Sequence, residues 1–200
     1  MFYLLLNSIY FKRMEQFSKF IKSIVSIDDM DLQLVFSKCR EKAVVKGKFI
    51  LKKGQIANQY FFIKSGGVRF FYGEYEQENT SWIVFSNEFF TEISSLNPQK
   101  PSRFNIEAVE DSVLIVIDKS DMDFLYRHVP AWQELGRKVW EKMSARMIEQ
   151  IVSFQTLSAE DRYLEFMNTP ELIQKVPVRH LASFLGITPN ALSRIRRNIK

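Results

Sequence analysis

The sequence has few of the residues that build disulfides and metal sites. Its 200 residues include one cysteine, Cys39, and two histidines, His128 and His180. A single cysteine excludes an intramolecular disulfide framework and fits the reducing environment of the cytoplasm. Two histidines far apart in sequence leave too few ligands for a His/Cys metal site. We therefore predict no metal site and no catalytic residues.

The sequence also lacks a hydrophobic run long enough to cross a membrane. In the most apolar stretch, residues 1–13, the apolar part is about ten residues long, half of what a spanning helix needs. Its basic residues follow the apolar part, whereas those of a signal peptide precede it. We interpret the segment at residues 1–14 as an added or misassigned leader of thirteen residues followed by Met14 as the native start. A membrane-surface anchor is the alternative.

Positive charge is concentrated at the C-terminal end. Residues 176–200 contain five basic and no acidic residues, whereas residues 1–175 carry 23 of each sign. The whole net charge of +5 therefore lies in the last 25 residues. Such segregated charge is typical of a surface that binds phosphates. The five basic residues are Arg179, Arg194, Arg196, Arg197 and Lys200.

The same segment has the pattern of a helix-turn-helix. Apolar residues from Val178 to Leu185 recur at helical spacing. Gly186 allows a tight turn, and Thr188-Pro189 is typical of an N-cap followed by proline at the first helical position. The second helix would present polar side chains outward, which indicates a DNA-binding motif. A basic tail on an ordinary helical subdomain is the alternative.

The middle of the chain predicts an antiparallel β-domain. After two helices, at residues 15–25 and 28–38, short β-branched and aromatic runs alternate with turn residues. Many short strands at this spacing indicate a sandwich or small barrel, whose interior can hold a small ligand. The predicted strands are residues 43–45, 49–51, 60–63, 68–72, 81–85, 104–109 and 113–117.

A long helix is predicted after the strands. Pro130 suits its first position, and the apolar periodicity continues to residue 155. One stripe can pack on the barrel, and the width of the apolar surface favours pairing with the same helix of a second copy. A helix at 159–167 and a link at 171–175 follow. The predicted dimer residues are Trp132, Leu135, Val139, Met143, Met147, Ile151 and Phe154.

In this order, the elements resemble the CRP/FNR superfamily of bacterial transcription regulators. The resemblance covers residues 17–200, with the best local matches at 58–69, 106–112 and 181–197. It implies an α+β fold in three parts. These are an N-terminal antiparallel β jelly-roll or barrel with flanking helices at 15–129, a long dimerisation helix at 130–156 and a C-terminal all-α helix-turn-helix domain at 157–200.

The resemblance also implies a function. It predicts a cytoplasmic homodimer, not an enzyme, that binds a palindromic operator in double-stranded DNA and acts on RNA polymerase under the control of a small effector. In the family the second helix enters the major groove. Carried over to this chain, Pro189, Asn190 and Arg194 would face bases. Cyclic-AMP-binding members have Arg and Glu at the first two of these three positions. Thr188, Ser193 and Arg197 would lie near phosphates, and Arg179 is the remaining predicted DNA-binding residue.

The effector pocket departs from that of cyclic-AMP-binding members. Their Gly-Glu-Leu element corresponds to residues 91–93 here, which retain Glu92 for the ribose. Ser102 occupies the position of the phosphate-binding arginine, and Arg103 follows one residue later, on the opposite face of a strand. Because an unpaired buried phosphate is costly, we expect cyclic AMP not to bind. No cofactor is required, and the effector is unknown.

Four other interpretations of the sequence differ in how well its residues support them. An iron–sulfur cluster needs about four thiolates, and haem needs an axial ligand, for which His128 is the only candidate near the barrel. A cupin-type enzyme needs clustered histidines, and none lies between Met14 and Arg127. An effector-binding or protein-interaction module of the same fold that has lost DNA binding is the main alternative.

Overall fold

The computed structural model describes residues 14–73 and 78–199. Two helices lead into the β-domain: α1, residues 14–24, and α2, Asp29–Ser37. Asp28, one of the two caps predicted for α2, accepts a hydrogen bond from the backbone N–H of Asp31. The leader predicted at residues 1–14 lies outside the described residues, apart from Met14.

The described strands form two antiparallel four-stranded sheets. The first has the order β1-β8-β3-β6 and the second β2-β7-β4-β5. Most connections pass from one sheet to the other, which is the topology of a jelly roll rather than of an up-and-down barrel. The strands are β1 Cys39–Val44, β2 Phe49–Leu51, β3 Gln59–Ser65, β4 Gly67–Tyr72, β5 Asn79–Phe85, β6 Phe89–Phe90, β7 Asn105–Ala108 and β8 Ser112–Asp118.

The predicted α+β class and its jelly roll are confirmed. All seven predicted strands are present, with ends that shift by at most four residues. The two-residue strand β6 and the four-residue helix α3, Ile93–Leu96, have no counterpart in the prediction. Both elements are too short to show a period in the sequence, so only their pairing and packing define them.

The corner between β3 and β4 requires glycine. Gly66 has a φ of +94°, and a Cβ atom added there would lie 2.2 Å from Ser112 Oγ. The neighbouring Gly67 N–H donates a hydrogen bond to the same oxygen. The Ser65-Gly66-Gly67 turn is therefore determined both by its backbone conformation and by the close approach of β8.

Two apolar clusters lie on opposite faces of the first sheet, because side chains alternate between the two faces along each strand. Phe61 and Phe90 stack between the two sheets, so the barrel interior is filled by side chains. Phe62 points to the outer face, where it packs with Phe17 of α1 and with Trp132. The helices α1 and α2 and the two that follow β8 thus cover the outer face of the first sheet.

Helices form the rest of the described chain. Residues 171–175, predicted as a link, are helical instead, because a segment of one and a half turns gives no clear period. The helices are α4 Lys119–His128, α5 Pro130–Thr156, α6 Ala159–Met167, α7 Pro170–Lys175, α8 Val178–Leu185 and α9 Pro189–Asn198. We refer to α6–α9 as the C-terminal head.

The C-terminal head packs directly on the barrel. A third apolar cluster joins Ile83, Phe85 and Val109 of the barrel to Leu181 and Leu192 of the head. At the edge of this contact, Lys175 forms an ion pair of 3.1 Å with Glu110. Barrel and head therefore share a core, and their division into separate folding domains stays a prediction.

Candidate nucleic-acid interface

The turn between α8 and α9 has the geometry that its residues predict. Gly186 adopts the left-handed conformation with a φ of +73° and donates its N–H to the end of α8. Thr188 caps α9 by accepting a hydrogen bond of 3.2 Å from the N–H of Ala191. Pro189 occupies the first turn of α9. Two helices joined by a tight turn are therefore present where the sequence predicts them, and their assignment as a DNA-binding helix-turn-helix stays a prediction.

The two faces of α9 differ sharply in burial. Leu192 is fully buried against α8, while Asn190, Arg194 and Arg197 are exposed on the opposite side. Within the described residues, the guanidinium groups of Arg194 and Arg197 make no hydrogen bond or ion pair. Free guanidinium groups on an exposed helix face can donate to guanine edges or to phosphates.

The remaining predicted DNA-binding residues are also exposed, but some of their donors are occupied. Thr188 uses its hydroxyl oxygen as an acceptor, so its O–H remains available to a phosphate. Ser193 donates its O–H to the carbonyl oxygen of Pro189 at 3.0 Å. Arg179 donates its Nε–H to His180 at 2.8 Å. Ser193 would have to break its bond to contact DNA as a donor.

His180, which the sequence did not single out, is buried beneath this surface. Burial is the main cause that lowers its pKa from the ordinary 6.5 to about 4, and the positive charges of Arg69 and Arg179 lower it further. Its Nε2 accepts from Arg179, which places the ring proton on Nδ1, and Nδ1 has no partner in the described residues. The imidazole is therefore neutral in the folded protein.

Acid is expected to destabilise the protein through His180. The unfolded chain takes up a proton near the ordinary pKa of 6.5, whereas the folded protein does so only near 4. The free energy of unfolding should therefore fall as the pH drops between these values, by at most about 1.4 kcal/mol per pH unit from this residue. Urea denaturation at several pH values measures the slope. His180→Gln should flatten this slope, and a slope equal to that of the wild-type protein would contradict this prediction.

A buried ion-pair network lies next to the head. Arg69 of β4 is 1% exposed and donates from Nε to Glu107 at 2.6 Å. Its other nitrogens bond to Glu78 at 2.5 Å and to Thr80 at 3.2 Å, and its guanidinium lies 3.9 Å from the ring centroid of Phe71. The network therefore holds β4, β7 and the start of β5 together beneath α8.

The long helix α5 has two different halves. Trp132 and Leu135 are fully buried in the cluster on the outer face of the barrel, so they are not available to a partner. Val139 and Met143 are half-buried against the same surface. Further on, Met147, Ile151 and Phe154 are exposed, as are Ile148 and Val152. Only the C-terminal half thus leaves a long apolar face uncovered, and pairing there stays a prediction.

The barrel matches a known protein family. Residues 41–128 match the family model of the cyclic nucleotide-binding domain. The barrel is therefore similar to the cyclic nucleotide-binding domain family over these residues. A search of curated protein sequences found no match to this chain. The cyclic nucleotide-binding domain covers the strands from β1 onward and α4, while α5 and the C-terminal head lie beyond it.

Solved structures extend the similarity to the helices after the barrel. A CooA variant from Carboxydothermus hydrogenoformans shares 21% identity with a TM-score of 0.65, covering 86% of this chain and 80% of its own. A protein from Eubacterium rectale assigned to the CRP/FNR family of transcriptional regulators shares 17% with a TM-score of 0.67, covering 86% and 83%. The cyclic di-GMP responsive regulator CLP from Xanthomonas campestris shares 14%, also with 0.67, covering 86% and 91%.

These similarities lie below 25% identity and therefore show a shared fold. The predicted resemblance to the CRP/FNR superfamily is confirmed at that level. The matched family is a ligand-binding domain and the similar structures are regulators, not enzymes. Within the described residues, no helix is both long and apolar enough to span a bilayer.

The three predicted effector residues differ in burial and in hydrogen bonding, and their role as a pocket stays a prediction. Glu92 is buried and caps α3, with one carboxylate oxygen bonded to Ser94 and the other, Oε2, without a partner. Ser102 is buried, and its hydroxyl both donates to and accepts from the backbone of Phe104. Arg103 is exposed. The domain thus lacks a buried cation at the positions predicted for a cyclic phosphate.

No group of His, Cys, Asp and Glu side chains in residues 14–73 and 78–199 is arranged to hold a metal ion. His128, the one candidate haem ligand, is exposed, stacks on Phe124 and bonds through Nδ1 to that residue's carbonyl oxygen. Sequence patterns did not reveal Arg69 or His180, because Arg69 depends on partners distant in the chain and His180 on its burial.

Proposed function

We propose that the chain is a homodimeric, sequence-specific DNA-binding regulator of transcription of the CRP/FNR type. The observation that carries this proposal is the outer face of α9, where Asn190, Arg194 and Arg197 are exposed while Leu192 anchors the helix from below. A helix with such a face fits the major groove, where arginine can bond to both guanine acceptors. The net charge of +5 concentrated in the same segment supports binding to the phosphate backbone.

The C-terminal half of α5 supports the homodimer. Ile148, Ile151 and Val152 lie with half or more of their surface exposed on a helix that starts on the barrel and ends at the head. Two copies of such a helix can bury these residues against each other. A dimer also supplies the two heads that a palindromic operator requires.

The barrel residues support an effector other than cyclic AMP, or none. The Ser102 hydroxyl donates its one O–H to the carbonyl oxygen of Phe104 and so has no donor free for a phosphate, and Arg103 is exposed. A buried phosphate without a cationic partner would cost several kcal/mol. The similar structure of CLP, which responds to cyclic di-GMP, is consistent with other effectors acting through this fold.

Selection of bound duplexes from a random pool, without added ligand, tests the proposal. We expect a palindromic site with two half-sites about one helical turn apart. Arg194→Ala should then weaken binding by about 1–3 kcal/mol per recognised base pair and relax the preference at one position of each half-site. Binding titrations with matched and mismatched duplexes measure both effects.

Arg137→Ala provides the matched control. Arg137 is exposed on α5 and, among the described residues, forms its ion pair with Glu141 of its own helix. This variant should keep the wild-type affinity and preference. Binding to DNA should weaken with salt, with a slope of log affinity against log salt concentration of about −0.9 per neutralised phosphate. If wild-type protein bound no duplex even at low salt, the chain would instead be a module of this fold without DNA binding.

A further inference from the structure

The connection between α5 and the C-terminal head is short and extended. Thr156 ends α5 and Ala159 begins α6, so only Leu157 and Ser158 separate the two helices. Both residues have extended backbone conformations, and Ser158 serves as the cap of α6. With no other contacts, rotation at these two residues would change the direction of the whole head relative to α5.

One side chain spans this connection. Arg162 of α6 donates from Nη1 to the carbonyl oxygen of Leu157 at 2.7 Å and from Nη2 to that of Leu185 at 3.0 Å. Its guanidinium also lies 4.6 Å from the ring centroid of Phe154 on α5. Arg162 thus links the end of α5, the extended connection and the last residue of α8.

A second side chain attaches the same turn of α8 to the barrel. The Ser183 hydroxyl donates to the carbonyl oxygen of Glu78 at 2.7 Å and accepts from the N–H of Thr80 at 2.8 Å. It therefore satisfies two backbone groups at the start of β5. Thr80 is buried, so water cannot easily replace this partner.

Both attachments act immediately before the turn that orients α9. Ser183 and Leu185 belong to the last turn of α8, and Gly186 follows with the conformation that begins the turn. The direction of α9 relative to α5 and to the barrel is therefore held by Arg162 on one side and by Ser183 on the other. Leu192 in the shared apolar cluster keeps α9 tied to α8.

We propose that Arg162 and Ser183 are positioning residues that determine the spacing between the two α9 helices of the dimer, and hence the operator spacing that the protein accepts. This inference rests on the proposed function. A dimer reads two half-sites only when its recognition helices are held about one helical turn apart. Neither side chain belongs to the exposed face of α9, so both act through the helix that contacts DNA.

Binding to operators of different spacing tests the inference. The substitutions are Ser183→Ala, Arg162→Met and both together. Each protein is titrated with the selected operator and with versions lengthened or shortened by one base pair between the half-sites. Ser37→Ala and Arg137→Met are the matched controls, because the Ser37 hydroxyl bonds only to Leu34 of its own helix and Arg137 only to Glu141.

The expected result is a change in the ratio of affinities. Wild-type protein and both controls should prefer the selected spacing, and the double variant should lose about tenfold of this preference, or 1.4 kcal/mol. A role in folding alone would lower the affinity for all three duplexes by the same factor and leave the ratio unchanged. That outcome would overturn the inference while leaving the proposed function intact. Absence of wild-type binding to any duplex would overturn the proposed function and the inference with it.

Discussion

Arg69→Met is expected to destabilise the protein by about 3–5 kcal/mol, the cost of removing one partner from a buried ion pair. The substitution leaves Glu107 and Glu78 close together without their shared cation. Methionine preserves much of the apolar stem over Phe71, so the loss should reflect charge rather than volume. For a chain of this length, the melting temperature should fall by roughly 10 °C, which thermal denaturation measures.

A surface ion pair provides the control for Arg69. Arg40 bonds to Asp118 through two hydrogen bonds of 2.9 Å, but both side chains are more than 40% exposed. Arg40→Met should therefore cost less than about 1 kcal/mol. Adding Glu78→Gln and Glu107→Gln to Arg69→Met should restore part of the lost stability, since it removes the uncompensated charges. Equal losses for Arg69→Met and Arg40→Met would contradict the assigned role.

Ile151→Glu is expected to convert the proposed dimer into a monomer. Ile151 is 55% exposed, and Ile148 beside it is 62% exposed, so the folded chain itself tolerates a charge there. In a symmetric helix pair, two glutamates would be buried close together without partners, at several kcal/mol each. The dimer dissociation constant should rise by about 100-fold or more, which corresponds to about 3 kcal/mol.

Sedimentation and operator titration measure the two consequences of Ile151→Glu. The variant should sediment as a monomer and lose most of its operator affinity, because one head reaches only one half-site. Gln133→Glu adds the same charge at an exposed position near the start of α5 and should remain dimeric. A dimeric Ile151→Glu protein with normal operator binding would show that the partner covers another surface.

Local signals in the sequence were sufficient for most elements of the fold. The turn between α8 and α9 is an example, because Gly186, Thr188 and Pro189 each have a backbone requirement that acts within one turn. The long helix was predicted to within one residue for a similar reason, since its apolar period persists over seven turns. Very short elements were missed: β6 is defined only by its pairing with β3.

The candidate site was predictable only where side chains face solvent. The outward residues of α9 follow from helical spacing, which is a local property. The burial of Trp132 and Leu135 against the barrel does not follow from helical spacing. The same apolar stripe on α5 can face either the barrel or a second copy, and the barrel covers its first half. Similarly, an alternating strand pattern cannot show that the Ser102 hydroxyl is hydrogen-bonded to the backbone of Phe104.

The sequence by itself determined the order and type of the elements, the excess of positive charge at the C-terminal end and the polar face of α9. These properties depend on residues within a few turns of one another. Only the tertiary structure decided that Arg69 meets Glu107 across 38 residues, that Ser183 meets Thr80 across 103, and that Arg162 reaches the end of α8. Such contacts depend on how the sheets and the C-terminal head pack, and no short-range pattern in the chain encodes which distant group completes each hydrogen bond.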